Sequence, residues 1–442
     1  MERTIFHIDV NSAFLSWTAV DMLEHGETLD IRTIPSIIGG DSASRHGIVL
    51  AKSVPAKAYG IVTAETVASA FRKCPILKSY SPDHRMYQRR SREMMSLLRN
   101  YTDDIQQLSV NECFLDFTPI SHQYESPMAA ATIIKEEIKS RLGFTVNIGI
   151  APNKLLAKMA SDFTKPDRIH TLYPDEIPGK MWPLSVDDLY MVGHSSATRL
   201  KSLGIRTIGE LAATDPEYLK QEFKSHGQLM WEYANGIADN QVITEKREEK
   251  SIGNSTTVSH DVTTAEEAKR ILLALSDSVS ARLRKSEMLA QSITVEIKYS
   301  DFTNNSHQMG LLSPTNITST IYDTACTLFD TLWNGQPIRL LGVRSAKLLH
   351  TDAPVQLSLF DMMETTVSSS GVIDNKNSLI PNEEDNMQRK HSTLPPANPT
   401  EKKSSYVPSQ QKLQQLDHAI DSIRTRYGDT ALVRGSSLLD KK

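Results

Sequence analysis

Two short segments about a hundred residues apart constrain the fold most. In TIFHIDV (4–10), Phe6, Ile8 and Val10 alternate with Ile5, His7 and Asp9, the period of a strand packed on one side and open on the other. In LSVNECFLDF (108–117) an apolar run suited to a strand or tight hairpin in a sheet core is interrupted by Asn111 and Glu112. Polar side chains in such a run must be satisfied or must face a working surface. Carboxylates from two strands that meet on an open sheet face offer oxygen ligands suited to Mg²⁺. Two such ions can clamp the attacking and leaving oxygens of a phosphoryl transfer. Edge or capping carboxylates are the plainer reading of Asp9 and Glu112.

At 442 residues the chain exceeds what one core usually holds, so roughly two to four domains are expected. A hydrophobic content of 39% and a charged content of 23% are those of a soluble globular protein. No apolar run approaches the roughly 20 residues that cross a bilayer, and MERTIFHIDV is too short and polar for a secretory signal. Cys74, Cys113 and Cys326 lie far apart without metal-type spacing, which suits reduced thiols in a cytoplasmic protein with no membrane partner. With a net charge of −4, binding nucleic acid would require basic residues gathered on one face.

Residues 84–103 place Tyr87, Met94, Met95 and Leu98 at helical spacing. LGFTVNIGI (142–150) reads as a strand followed by a helix in PNKLLAKMASDF, and the charged EKREEK near 240–250 suits a tether. Strand-like SITVEIKYS (292–300) and LLGVRSAKLL (340–349) bracket a helical stretch, so 251–350 reads as an α+β unit. Residues 364–410 are rich in Ser, Thr, Asn, Pro and Glu and cannot bury enough to order themselves. A last amphipathic helix, about 411–427, carries Leu413, Leu416, Ile420, Ile423 and Tyr427 on one stripe.

Three further segments bear on function. GIAPNKLLAKMASDFTKPDRI (149–169) clusters Lys154, Lys158 and Lys165 around a strand–helix junction, where they can neutralise phosphates or simply form a solvated helix face. MVGHSSATRLKSLGIRTIGEL (191–211) sets Gly193 before one helical stretch and Gly204 before the next. That arrangement can aim backbone N–H groups at a phosphate, or be an ordinary hairpin with a glycine C-cap. VQLSLFD (355–361) exposes Leu357, Leu359 and Phe360 in a polar setting, as a peptide for a partner's pocket or a short strand completing the preceding domain.

In this order the pieces resemble the Y-family translesion DNA polymerases, most closely their bacterial polymerase IV branch, from Thr4 to about Phe360. HIDVNSAF resembles the first metal motif with its steric-gate aromatic, and LSVNECFLDF the second, usually S-[IV]-D-E-x-F-L-D. GIAPNKLLAKMASDFTKPD is similar to the palm signature, the glycine-turn segment to the thumb's helix–hairpin–helix, KSIGNSTT (250–257) to the start of the little finger, and QLSLF to a clamp-binding peptide.

The resemblance implies an α+β multidomain, right-hand polymerase. Its parts are a ferredoxin-like palm (1–17 and 76–166), small fingers (18–75), a helical helix–hairpin–helix thumb (167–240), a linker (241–250) and an α+β little finger (251–350). A disordered tail with the clamp peptide (351–410) and a C-terminal amphipathic helix and tail (411–442) would follow. It implies catalytic and metal-binding roles for Asp9, Asn111 and Glu112, with the Val10 carbonyl as an added ligand. Phe14 would be the steric gate, Lys57 and Lys165 would bind the triphosphate, and Gly193, Gly204, Ser251 and Gly253 would contact DNA. Gln356, Leu357, Leu359 and Phe360 would bind the bacterial sliding clamp.

The cofactor implied is a pair of Mg²⁺ ions, with Mn²⁺ as a substitute. The partners are primer–template DNA, dNTPs and the clamp, for a monomeric enzyme. AKSVPAKAYG (51–60) stands where the family has Y-E-A-R-K-[FY]-G, so Lys57 replaces an arginine fork by a point charge and Val54 stands in place of a tyrosine. Asn111 stands where the family has an aspartate that bridges both ions. A neutral amide lowers the site charge and implies a rate loss of at least about a hundredfold. Such a chain could be a weak natural polymerase, an engineered substrate trap, or a noncatalytic DNA- and clamp-binding subunit. The retained Asp9, Glu112, Phe14 and Lys165 favour a polymerase lineage, and the later motifs argue against a nucleotide cyclase.

Overall fold

The structure, a computed structural model, describes residues 3–40, 47–245, 248–353, 410–428 and 431–432. It divides into two compact units, Met1–Arg247 and Glu248–Lys442, and the division falls inside the charged segment 241–250.

The first unit begins with β1 (Ile5–Val10) and α1 (Ala13–Glu24), then β2 (Ser36–Gly39), β3 (Val49–Lys52), α2 (Val54–Ala58), α3 (Val67–Lys73) and β4 (Lys78–Tyr80). It continues with α4 (His84–Leu98), β5 (Ile105–Gln107), β6 (Glu112–Asp116), α5 (Pro127–Leu142), β7 (Val146–Ala151), α6 (Lys154–Asp162) and β8 (Ile169–Thr171). Five helices close it: α7 (Ile177–Lys180), α8 (His194–Ser202), α9 (Ile208–Ala213), α10 (Pro216–Phe223) and α11 (Ser225–Ala234).

Its main sheet runs β5-β6-β1-β7-β8, with β1 central and antiparallel to β6 and β7. The sheet reaches Thr171, past the palm boundary read at 166, because β8 pairs with β7. A small sheet, β3-β2-β4, likewise takes in Lys78–Tyr80, past 75.

The expectation that β1 is open on one side is corrected, since all six of its residues are buried. Phe6, Ile8 and Val10 pack with Trp17 of α1, Met94 of α4 and Ile134 of α5. Ile5 packs on the other face with Leu155 and Leu156 of α6. The polar residues of that second face, His7 and Asp9, are covered as well and are satisfied by side chains rather than by bulk water.

The strand read at 142–150 starts later, at Val146. Leu142 ends α5, whose C-cap Gly143 sits at φ 76°, a conformation that favours glycine. α6 starts at an Asn153 N-cap, whose side chain accepts from the Leu156 N–H. It can lie directly on β7 only because residue 149 is glycine. A Cβ there would fall 1.9 Å from the Ala157 carbonyl oxygen, so this close approach brings α6 and its lysines onto the sheet.

The second unit is an antiparallel sheet, β11-β10-β12-β9, built from β9 (Ser251–Val262), β10 (Met288–Tyr299), β11 (Asn304–Thr315) and β12 (Ile338–His350). Helices α12 (Ala265–Lys285) and α13 (Thr318–Leu332) contribute Leu272, Val279, Ile321 and Phe329 to a core with Ile293, Val295 and Leu341. The QLSLF segment lies outside the described residues.

A last helix, α14 (Gln410–Tyr427), belongs to this unit, but its docking face differs from the expected apolar stripe. Ile420 is buried, whereas Leu416, Ile423 and Tyr427 are exposed. The contact is ionic. The Arg284 guanidinium donates to Asp421 Oδ2 at 2.6 Å and to Asp417 Oδ2 at 3.2 Å, and Arg424 meets Asp277 at 2.7 Å. Asp417 also accepts from the Thr318 N–H at 2.8 Å. It thereby caps α13, whose own N-cap residue, Ile317, has no side chain able to do so.

Candidate active site

β5 and β6 form a tight hairpin whose turn, 108–111, puts Asn111 at the tip and Glu112 at the first strand position. In the β1–β6 ladder Asp9 stands directly opposite Glu112, so the two carboxylates project from the same face as cross-strand neighbours. His7, two residues before Asp9, is the diagonal neighbour of Glu112.

Glu112 is held from below. Lys158 Nζ donates to its Oε2 at 2.6 Å, and His7 Nε2 lies 3.1 Å from the same oxygen. The other ring nitrogen of His7 is 2.7 Å from Ser161 Oγ. The His7 hydrogen bond, joined by the Lys158 ammonium, outweighs partial burial and brings the Glu112 carboxyl down to about 2. Burial depresses the His7 pKa, which keeps the imidazole neutral.

Asp9 is held from the side. Lys165 Nζ donates to its Oδ2, and the same ammonium meets Asp162 at 2.7 Å. Burial acts against the Lys165 charge, but Asp9 and Asp162 prevail and raise its pKa. Asn111 Nδ2 donates to Asp9 Oδ1 at 2.9 Å, while Asn111 Oδ1 accepts from Ser109 Oγ, also at 2.9 Å. A carboxylate only accepts, so the amide must turn its NH₂ to Asp9 and its oxygen to the serine.

Asp9, Asn111 and Lys165 line a cleft of about 450 Å³ together with Val10, Phe14 and Lys57, and Glu112 stands beside it across the ladder from Asp9. Phe14, at the start of α1, stacks on the Tyr87 ring with centroids 4.5 Å apart and an interplanar angle of 17°, which fixes its plane. Val54, which also lines the cleft, is exposed.

The three lysines of 149–169 separate. Lys158 and Lys165 serve the acidic pair, whereas Lys154 lies 3.5 Å from both Gln106 and Asp239. Gly193 is the N-cap of α8, and Gly204, at φ 87°, makes the turn into α9. In the second unit Ser251 and Gly253 open β9. Gly253 lines a groove of about 540 Å³ on the sheet, and its carbonyl accepts from Arg282 at 2.8 Å. Gln356, Leu357, Leu359 and Phe360 lie outside the described residues. Sequence reasoning gave His7 and Ser161 no role, although His7 shares a strand face with Asp9.

The donor chemistry suits a hard divalent cation. It comprises two carboxylates, the Asn111 amide oxygen and backbone carbonyls, with no sulfur and one buried neutral imidazole. Asn11 also lines the cleft; its Oδ1 is buried without a hydrogen-bond partner among the described residues, while its Nδ2 donates to Thr145 Oγ1 at 3.2 Å. Among the described residues no group of three or more His, Cys, Asp or Glu side chains is arranged to hold a metal ion, and the two carboxylates that face each other across the ladder are Asp9 and Glu112.

A model of the impB/mucB/samB family matches residues 8–162, and that of the family's C-terminal domain matches 249–359. DNA polymerase IV of Clostridium acetobutylicum is 46% identical over 100% of both chains. The chain belongs to the DNA polymerase IV family. DNA polymerase IV of Bacillus velezensis is 37% identical over 82% of this chain and 86% of its own. The fold matches a solved Y-family DNA polymerase chimera with a TM-score of 0.68 at 21% identity, covering 78% of this chain and 99% of that one. The DNA polymerase IV family thus accounts for the mixed α+β fold, and the Asp9–Glu112 pair lies in the segment covered by its N-terminal model.

Proposed function

We propose that this chain synthesises DNA past damaged bases at the Asp9–Glu112 cleft. As a member of its family it is a DNA-directed DNA polymerase, and that membership favours synthesis over a noncatalytic accessory role. The observation that carries the site assignment is the register of β1 and β6, which sets the two carboxylates opposite each other beside a cleft sized for a nucleotide.

In this reading the primer 3′-oxygen forms a bond to the α-phosphorus of a dNTP. The bond to pyrophosphate breaks, and the hydroxyl proton leaves to solvent. Asp9, Glu112, the Val10 carbonyl and Asn111 Oδ1 would hold two Mg²⁺ ions, or Mn²⁺ in their place. When bound, such ions supply charge at the attacking and leaving oxygens. His7, Ser161 and Lys158 fix the Glu112 carboxylate in place before substrate arrives, so little reorganisation is needed. Lys165 and Lys57 neutralise the triphosphate. Phe14, its plane set by Tyr87, lies flat beneath the sugar and excludes a 2′-hydroxyl.

We assign the five-stranded sheet with α4–α6 to the palm, the three-stranded sheet to the fingers, α7–α11 to the thumb and the second unit's sheet to the little finger. Gly193, Gly204, Ser251 and Gly253 then contact the DNA backbone, independently of sequence. QLSLF, through Gln356, Leu357, Leu359 and Phe360, engages a sliding clamp, and the enzyme works as a cytoplasmic monomer. Asn111 lowers the rate because its oxygen must first leave Ser109, and its NH₂ must leave Asp9, before the amide can serve as a ligand.

Primer extension by this chain and by Asn111→Asp, in Mg²⁺ and in Mn²⁺, tests the reading. The aspartate form should extend primers at least about a hundredfold faster. Failure of Asn111→Asp to extend in either metal would falsify the site assignment.

A further inference from the structure

The cleft has a basic wall of which the steps above use only Lys57. β3 alternates buried Val49 and Ala51 with half-buried Leu50 and Lys52, and Leu50, Ala51 and Lys52 line the cleft. Lys57, on α2, lines the same cleft. The other lysines around it each meet a carboxylate: Lys158 meets Glu112, Lys165 meets Asp9 and Asp162, and Lys73 meets Glu65 at 2.7 Å. Lys52 Nζ instead donates to a neutral group, Thr63 Oγ1, at 3.2 Å. Glu65, whose charge reaches Lys52, already accepts from Lys73, the Ser69 hydroxyl and the Val62 N–H. Among the described residues neither Lys52 nor Lys57 makes an ion pair.

Two like charges on one partly buried wall disfavour each other. Partial burial, reinforced by Lys57, pushes the Lys52 ammonium below the usual lysine range. An anion carrying several charges relieves both costs at once. We propose that Lys52 is a further triphosphate-binding residue, acting with Lys57 on the phosphates of the incoming nucleotide.

This rests on the reading of the cleft as the nucleotide site. The size of the cleft favours a nucleoside triphosphate over a template-strand phosphate, because about 450 Å³ takes one nucleotide and no duplex. A lysine here acts as a mobile point charge, so charge rather than shape carries the contact.

The test is equilibrium binding of a correct dNTP to the full chain on a dideoxy-terminated primer–template, which needs no turnover. Lys52→Gln should weaken dNTP binding about tenfold, the loss of one charge-assisted contact. Lys52→Arg should keep affinity within about threefold by retaining the charge. Lys165→Ala serves as the control for the site itself. If Lys52→Gln binds dNTP as the parent does while Lys165→Ala is weakened, Lys52 has no such role and the nucleotide site stands. If neither change matters, the nucleotide-site reading falls and takes the Lys52 role with it. If Lys52→Gln weakens only primer–template affinity, the lysine serves a template phosphate and the proposal is overturned. The thermal midpoint of Lys52→Gln should match the parent's, because the side chain is only half-buried, makes no ion pair among the described residues, and a glutamine can keep the hydrogen bond to Thr63.

Discussion

Replacing Asn111 by aspartate should make the metal-free protein less stable and far more responsive to Mg²⁺. The amide now donates to Asp9 Oδ1 at 2.9 Å and buffers that charge. An aspartate in the same place would bring two carboxylates to about 4 Å, where two unit charges at an effective dielectric near 20 repel by about 4 kcal/mol. Lys165 on the other Asp9 oxygen and water in the cleft offset about half of that, and the lost hydrogen bond adds about 1 kcal/mol. A net cost of roughly 3 kcal/mol follows, or about 6–12 °C in the unfolding midpoint of a unit this size. Mg²⁺ at about a hundred times its Kd restores about 2.7 kcal/mol if it binds only the folded form. Thermal unfolding in EDTA and in Mg²⁺ reads both effects without any turnover. The parent chain should shift less with Mg²⁺, because one Asp9 oxygen is already taken by an NH₂. Equal midpoints in EDTA together with equal Mg²⁺ responses would show that Asn111 and Asp9 are not neighbours in the working protein.

Other changes have equally definite outcomes. Phe14→Ala should reduce discrimination against ribonucleotides by at least about tenfold in extension assays, because the ring that Tyr87 holds flat is gone; unchanged discrimination would remove Phe14 as the gate. Arg284→Ala should destabilise the second unit by roughly 3 kcal/mol in denaturant titration, since the guanidinium and Asp417 are only 4% and 3% exposed; a change under about 0.5 kcal/mol would mean α14 is not docked. Acid unfolding should report Glu112. Its folded pKa is held to about 2, chiefly by the His7 hydrogen bond and then Lys158. An unfolded glutamate titrates near 4.3, so the folded form is favoured at higher pH. The resulting stability, at most about 3 kcal/mol for this mostly buried group, is complete above about pH 5 and is lost as pH falls towards 2. Glu112→Gln should flatten that part of the profile, and an unchanged slope would mean that His7 and Lys158 do not hold the carboxylate.

The acidic pair was legible because it needs only two strand periods and one pairing. Asp9 ends an alternating segment, and Glu112 breaks an apolar one. What supports the pair was not legible, because it depends on register and on the approach of a third element. His7 shares a face with Asp9 in any strand, yet it contacts Glu112 only because β6 enters the ladder at residue 112. Ser161 and Lys158 arrive only because Gly149 lets α6 lie against β7, and a glycine inside an apolar strand does not say which helix will use the space. The same limit separates the existence of α14 from its docking. Its apolar spacing marks a helix, but the face it uses is chosen by Arg284, 137 residues away from Asp421. A buried guanidinium must meet its carboxylates, and satisfying it outweighs burying three more apolar side chains of the stripe. Patterns of period 2 and 3.6 therefore locate the elements of this polymerase, and its buried charges decide which faces meet.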